Sequence, residues 1–384
     1  MQKKILLCAT VDYHFKAFHL PYMKWFKEQG WEVHVAASGT MKLPYTDVKY
    51  DIPIQRSPFR LANLGALREL RAIVDREQFA IVHSHTPLGG VIGRLAARRA
   101  RKNGTKTFYT AHGFHFCKGA PAANWLCYYP VEKLLANLTD CLVTINEEDY
   151  ERARMHRLSA GTIAHVHGVG VDTEKYRPAD EYERCEIRKE LGYSESDLLL
   201  FYAAEFNKNK NQQFLIHSLA LLKDELPGAR LLLAGEGALE KECRALAGKL
   251  GVSDRVDFLG FRKDIVRILP ACDIAVGSSF REGLPVNIME AMSCGLPVLA
   301  TENRGHCELI KQGVNGWTVP PDNHQAFAEK LTLLTRDEKL RRTLGEHSRA
   351  RMMERYSLNL VLNENKQLYR KYMNEMEEAV WAIQ

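Results

Sequence analysis

The chain has 384 residues, a formal net charge of +6, and apolar and charged fractions of 46% and 26%. At that length a single hydrophobic core has usually stopped growing, so two domains are expected, and the composition is that of an ordinary soluble globular protein. Its 9 cysteines fall singly and without a C-x-x-C pair, which argues against a disulfide framework or a zinc site and fits a reducing cytoplasm.

Strand and helix patterns alternate along the chain, the signature of parallel sheets covered by helices. The first apolar run, Ile5–Val11 ended by Asp12, is too short for a signal-peptide core plus cleavage site and predicts an opening strand over 4–11. Further strands are predicted over 32–37, 80–84, 106–111, 141–145 and 163–167, with amphipathic segments 62–76 and 88–102 between them. After a Gly/Pro-containing stretch at 168–178 the alternation restarts, with strands over 198–204, 230–234, 256–259, 273–277, 297–300 and 316–319. From about 322 to 382 the pattern is helical and charged. No stretch approaches the roughly 20 apolar residues of a membrane span. Charge is uneven: residues 1–170 hold 23 Lys/Arg against 14 Asp/Glu, and the remainder 30 against 33. A basic first half suits an anionic membrane face or substrate. A solvated surface without a partner is the plain alternative, and nucleic acid ranks well behind both.

The stretch richest in chemistry is Ser278–Met292, which follows the apolar run Ile274–Gly277 and carries Glu282 and Glu290 around Gly283-Leu284-Pro285. Gly283 lets the backbone approach a ligand, Pro285 suits the first turn of a helix, and amides at a helix start form an anion site. Each carboxylate can accept from several hydroxyls. Phosphates in the middle and hydroxyls at both ends describe a nucleoside diphosphate sugar.

This Glu-x7-Glu segment is accompanied, in order, by His83-Ser84-His85-Thr86-Pro87, Thr110-Ala111-His112-Gly113, Gly168-Val169-Gly170-Val171-Asp172, Gly235-Glu236-Gly237, Gly260-Phe261 and Gly295-Leu296-Pro297-Val298. Together they resemble the retaining glycosyltransferases of family 4 over nearly the whole chain. Ala111–Phe116, Asn124-Trp125-Leu126 and Ile145–Tyr150 are similar to the members that assemble bacterial capsule and exopolysaccharide. The resemblance implies an α/β GT-B fold with two Rossmann-like domains facing a central cleft. Residues 1–170, with about 365–384 packing back, would bind acceptor, and 171–364 would bind donor. The last helix would cross back to the first domain through Tyr369, Tyr372, Met373 and Trp381; pattern alone also allows an independent helical tail.

The resemblance further implies transfer of a sugar from a nucleoside diphosphate, expected to be UDP, to a saccharide acceptor, expected to be polyprenyl-diphosphate-linked, with no metal or other cofactor. Glu290 is implied for the ribose, Glu282 for the transferred sugar, Gly283, Leu284 and Pro285 for the cradle between them, Gly235 and Glu236 for the base, and His112 for the donor sugar. Lys210 is the implied cation for the leaving diphosphate. Many members carry arginine five positions before this lysine, where this chain has Glu205. Either Lys208 supplies the second positive charge, or Glu205 has another task such as holding Lys210; Lys208 reads equally well as a solvated loop lysine. On the acceptor side His14, Asp12 and His85 are expected near the cleft, although His83 and His85 also suit buried structural positions. His112 and His115 have H-x-x-H spacing, but no Cys, Asp or Glu set accompanies them, so no metal is expected. Phe114, Phe116, Trp125, Tyr128 and Tyr129, with Arg94, Arg98, Arg99, Arg101 and Lys102, would either dock on an anionic membrane or pack a helix hairpin. Three rivals stay open. They are a hydrolysing UDP-sugar 2-epimerase, a non-catalytic nucleotide-sugar-binding protein on the same fold, and a nicotinamide oxidoreductase. The last is weakest, because neither sheet opens with a full Gly-x-Gly-x-x-Gly. The expected location is cytoplasmic, with peripheral contact at the inner face of the membrane as a further expectation.

Overall fold

The computed structural model describes residues 3–381, and side chains as far as residue 376. The chain forms two compact units, Met1–Val169 with Val361–Gln384, and Gly170–Leu360.

The first unit is built on seven parallel strands: β1 (Lys4–Val11), β2 (Glu32–Ser38), β3 (Val48–Asp51), β4 (Ile81–His85), β5 (Lys106–Ala111), β6 (Cys141–Thr144) and β7 (Thr162–His165). Their order is β3-β2-β1-β4-β5-β6-β7. Helices cover both faces, and β1 reads as a near-continuous apolar run, the trait that makes it legible in the sequence, whereas β4 and β5 are buried yet mix apolar with polar residues. The sequence reading missed β3. Its residues, Val-Lys-Tyr-Asp, sit at the sheet edge, exposed or half-buried, and lack that apolar run.

The order reverses between β1 and β4, which opens a crevice at their carboxyl ends. The helix Pro87–Ala96 starts there and lies directly on the sheet. A Cβ on Gly89 would stand 2.9 Å from the Ala9 Cα, and one on Gly93 2.0 Å from the Ser84 Oγ. Thr86, which leads into this helix, has φ +64°, unusual for a β-branched residue. Its Oγ1 lies 2.8 Å from Thr10 Oγ1 and accepts from the Thr10 amide at 3.1 Å. Two neighbouring strand ends thus hold a strained residue at the crevice, a placement common at functional sites.

The helix Leu358–Trp381 contributes its residues from Val361 onward to the first unit. Tyr369 and Tyr372 are buried. The Tyr369 hydroxyl lies 2.5 Å from His83 Nδ1, and that of Tyr372 donates to the Asp140 carbonyl at 2.8 Å. Glu364 meets His167 at 2.7 Å. These contacts replace the independent-tail alternative. Met373 is half-buried, and the Trp381 side chain lies outside the described residues.

Packing takes up part of the set named for either membrane docking or a helix hairpin. Phe114 and Phe116 are buried and stacked 4.7 Å apart, with Trp125, Tyr128 and Tyr129 packed against their cluster. Arg94 is buried, donating to Glu132 at 2.8 Å with its guanidinium 4.0 Å from the Tyr109 ring centre. Arg101 pairs with Asp140, while Arg98, Arg99 and Lys102 stay exposed.

The second unit has six parallel strands, β8 (Leu198–Ala203), β9 (Ala229–Ala234), β10 (Val256–Gly260), β11 (Ile274–Gly277), β12 (Val298–Thr301) and β13 (Gly316–Val319). They are ordered β10-β9-β8-β11-β12-β13, so the reversal falls between β8 and β11. Leu200, Leu231, Ile274 and Leu299 from the sheet meet Phe214, Phe327, Leu331 and Leu344 from the helices in one core.

Candidate active site

In the second unit the loops leaving β8 and β11 are joined side by side. Ser278 donates to the Lys210 carbonyl at 2.7 Å, the Phe280 amide to Asn209 at 2.8 Å, and Asn209 Nδ2 to the Arg281 carbonyl at 3.0 Å. Tyr202 Oη lies 2.7 Å from Ser279 Oγ beneath them. This stitching puts Lys210 Nζ 2.6 Å from Glu282 Oε1 in a partly buried ion pair. Two of the predicted site residues are therefore direct partners. The Glu205 carboxylate instead accepts from Asn207 at 3.1 Å, and the idea that it holds Lys210 falls because Glu282 occupies that place. Lys208 is exposed.

Pro285 caps the helix Val286–Ser293, whose start is tied to β8 where Asn287 Nδ2 donates to the Ala203 carbonyl at 2.9 Å. Leu284 is buried under the loop. Glu290, in the second turn, is half-buried and accepts from Tyr176. Burial pushes its carboxyl above the usual range, against the pull of that hydrogen bond and of Lys175. The loop after β9 presents Gly235 and exposed Glu236 next to the β8 loop. A Cβ on Gly235 would meet the Ala204 carbonyl oxygen at 2.1 Å, so only glycine fits, and the Phe206 amide donates to the Glu236 carbonyl at 2.9 Å.

Sequence reasoning missed Arg304 and Tyr176. Arg304 Nε donates to the Glu282 carbonyl at 2.9 Å, and a Cβ on neighbouring Gly305 would meet Glu282 Cβ at 2.9 Å. The available signal was a third strand end: β12 stops at Thr301, and Asn303 caps the next helix while donating to the Ser279 carbonyl at 2.8 Å. Tyr176 lies in the crossover stretch, where nothing local ties it to Glu290.

The crevice of the first unit opens into a pocket of about 440 Å3 lined by Thr10, Tyr13, His14, Arg56, Thr86 and His115 among others. His14 borders it. Asp12 is turned away, accepting from the Met41 amide at 2.8 Å and pairing with Lys49 at 3.1 Å. Burial would raise the Asp12 carboxyl, but those two partners hold it below its usual value. Behind His14 lie His19, His85 and His112, and His85 Nδ1 is 3.3 Å from His112 Nε2. His83 is a structural residue, its two nitrogens taken by Tyr369 and by Thr110 at 2.8 Å. Burial brings His14 to about 4 and His83 to about 3. Burial and neighbouring imidazoles hold His19, His85 and His112 well below the usual value, so the group is uncharged at neutral pH. His115 stands apart, stacked on Tyr128 at 4.4 Å.

Two doubly wound parallel sheets, with polar side chains gathered at the carboxyl ends of the strands where the order reverses, define a Rossmann-like α/β protein of the GT-B class. The family described as "Glycosyl transferases group 1" matches residues 183–351, and "Glycosyltransferase Family 4" matches residues 22–175. "Putative glycosyltransferase EpsD" of Bacillus subtilis (strain 168) is 52% identical, with 97% of this chain and 98% of that protein covered. The N,N'-diacetylbacillosaminyl-diphospho-undecaprenol alpha-1,3-N-acetylgalactosaminyltransferase of Campylobacter jejuni is 27% identical, with 93% and 95% covered. Among solved structures, Anabaena Alr3699/HepE in complex with UDP-glucose shares the fold with a TM-score of 0.78 at 20% identity, covering 97% of this chain and 99% of that one. The chain belongs to the family 4 glycosyltransferases and is a transferase enzyme.

Proposed function

We propose that this enzyme moves a sugar from a UDP-linked donor to a saccharide carried on a polyprenyl diphosphate, with retained configuration, in the assembly of exopolysaccharide or capsule, and that no metal or other cofactor takes part in the transfer. The observation that carries the reading is the Lys210–Glu282 pair at the β8/β11 reversal, on the same loop-to-helix segment as Glu290. The UDP-glucose complex of HepE and the lipid-linked acceptor in the name of the Campylobacter enzyme support the choice of donor and acceptor. Arg56 in the first unit's pocket suits an anionic acceptor.

In this reading the bond from the sugar's C1 to the diphosphate oxygen breaks, and its electron pair leaves with the phosphate. Lys210 exchanges Glu282 for that oxygen and stabilises its charge. The acceptor hydroxyl bonds to C1 from the same face and gives its proton to a phosphate oxygen. Glu282 accepts from sugar hydroxyls, and uncharged His112 donates an N–H to one. Glu290 accepts from the ribose diol in place of Tyr176.

Glu290→Ala is expected to weaken UDP-sugar binding by roughly 10- to 100-fold, the worth of one or two hydrogen bonds to a charged group, with an unaltered melting temperature. Because the Glu290 carboxyl is raised, affinity in the parent should fall on acidification before ordinary carboxylates titrate, and the variant should lose that dependence. Calorimetric titration with UDP-sugars checks both; undiminished affinity refutes the assignment. UDP release that requires acceptor excludes a hydrolysing epimerase.

Membrane contact, in this reading, uses the helix Ala122–Ala136, which exposes Leu126, Val131 and Leu134 beside Lys133 on the basic half of the chain. Flotation with anionic but not neutral vesicles is expected, and Leu126→Ser with Leu134→Ser should abolish it. Equal recovery with both vesicle types, or none, removes this part of the proposal.

A further inference from the structure

Four histidines of the first unit converge where three strands end. His14 and His19 come from the short helical segment after β1, His85 is the last residue of β4, and His112 follows β5. One ring nitrogen from each lies within 4.8 Å of those of the other three. His14 Nε2 and His19 Nε2 are 3.1 Å apart, and His85 Nδ1 and His112 Nε2 are 3.3 Å apart. Nitrogens at the corners of a tetrahedron about 2.0–2.1 Å from a central zinc ion stand roughly 3.3 Å from one another. Two opposite edges already have that length.

A neutral imidazole has one donor and one acceptor; His85 Nε2, the ring atom opposite the Nδ1 that faces His112, is buried and has no hydrogen-bond partner among the described residues. A cavity of about 20 Å3 adjoins His19, His85 and His112 on the inner side. On the outer side His14 reaches the open pocket, which gives an ion a path in. Four imidazoles without a carboxylate select a borderline transition ion over calcium or magnesium, which demand oxygen.

We propose that His14, His19, His85 and His112 bind one divalent transition-metal ion, zinc being the expected species, in a four-nitrogen site. All four ligands belong to the first unit. A corollary rests on the role given to His112 above: an ion that ligates His112 takes it from the sugar, so zinc inhibits transfer.

The test uses the full-length enzyme freed of any histidine tag and stripped with chelator. Equilibrium dialysis should give one tightly held zinc per chain. Cobalt(II) should give the intense visible absorption of a tetrahedral site, bleached by one equivalent of zinc. Zinc should raise the melting temperature as mass action requires. His19→Gln, which removes a ligand given no part in catalysis, should weaken binding by at least the 10- to 100-fold that an outer-shell partner is worth, whereas His347→Gln on the surface of the other unit should not. Less than one zinc per chain, the pale spectrum of a six-coordinate ion, or His19→Gln binding as tightly as the parent would overturn the site. If His19→Gln does not fold, the stoichiometry and spectrum of the parent still decide. Zinc that binds by these measures yet leaves the transfer rate unchanged overturns the role of His112 and leaves the metal site standing.

Discussion

Lys210→Ala should lower kcat by about 10²–10³-fold, the usual cost of removing one preorganised group that stabilises charge developing in a transition state. The ammonium is held at 2.6 Å by Glu282 and is only partly exposed, so it is oriented before the donor arrives. Its own loop is fixed from both ends, with the Lys210 amide donating to Asn207 and its carbonyl accepting from Ser278. Lys210 exchanges Glu282 for the leaving oxygen and so acts on charge that develops as the diphosphate departs, which is why the loss should appear in kcat more than in KM. Glu282→Gln provides the complementary result. It frees Lys210 from its counter-ion, so UDP should bind more tightly while transfer slows. Steady-state kinetics with product-inhibition constants measure both. A fall of less than tenfold in kcat for Lys210→Ala, or weaker UDP binding in Glu282→Gln, would show that the pair is only a structural salt bridge.

The parts of this molecule legible in the sequence are those whose cause is local. Strands buried on both faces are apolar runs, and all six predicted in the second half lie within about two residues of β8–β13. Edge strand β3 has no such signature. The Glu282–Glu290 segment was legible because glycine, proline and two carboxylates lie in one stretch of chain. The partner of Lys210 was not, since the 72 residues separating it from Glu282 are closed only by the pairing of β8 with β11. The histidine cluster shows the same limit more sharply. The H-x-x-H spacing of His112 and His115 draws attention to the wrong pair, because His115 stacks on Tyr128. His112 instead meets residues from two other strand ends, an adjacency created by parallel pairing and invisible to spacing. Where many family members carry arginine this chain has Glu205, for which the sequence suggested either replacement by Lys208 or a task such as holding Lys210. Glu205 is exposed and bonded to Asn207, whereas Arg304, from a third strand end, braces the Glu282 backbone.

The same sheet explains why the largest stability effect should come from a residue far from the chemistry. β8 and β11 pair through only two positions, Ile274 with Leu200 and Ala275 with Phe201, yet that junction carries the loops that hold Lys210 and Glu282. Arg188, fully buried, clamps its opposite end. Its guanidinium donates to the Ala271, Ser194, Glu195 and Asp197 carbonyls at 2.8–3.1 Å and to the Asp273 carboxylate at 2.6 Å, and Asp273 in turn accepts from the Leu199 amide at 2.7 Å. Arg188→Met keeps much of the volume but leaves several carbonyls unpaired and takes the buried guanidinium from Asp273, to which Arg184 also donates. Removing one partner of such a buried pair costs about 3–5 kcal/mol, a large part of the roughly 5–15 kcal/mol that holds a domain together. For a unit of this size the expected fall in Tm is on the order of 10 °C, seen by calorimetry as earlier melting of the second unit. The loss should carry into function: under the proposed donor site, UDP-sugar affinity in the folded variant should drop as well, because the Lys210 and Glu282 loops share the loosened junction. If Arg188→Met melts within about 2 °C of the parent, a shift that no more than about 1 kcal/mol produces in a unit of this size, the clamp is redundant and the β8/β11 junction must be held by the loops themselves.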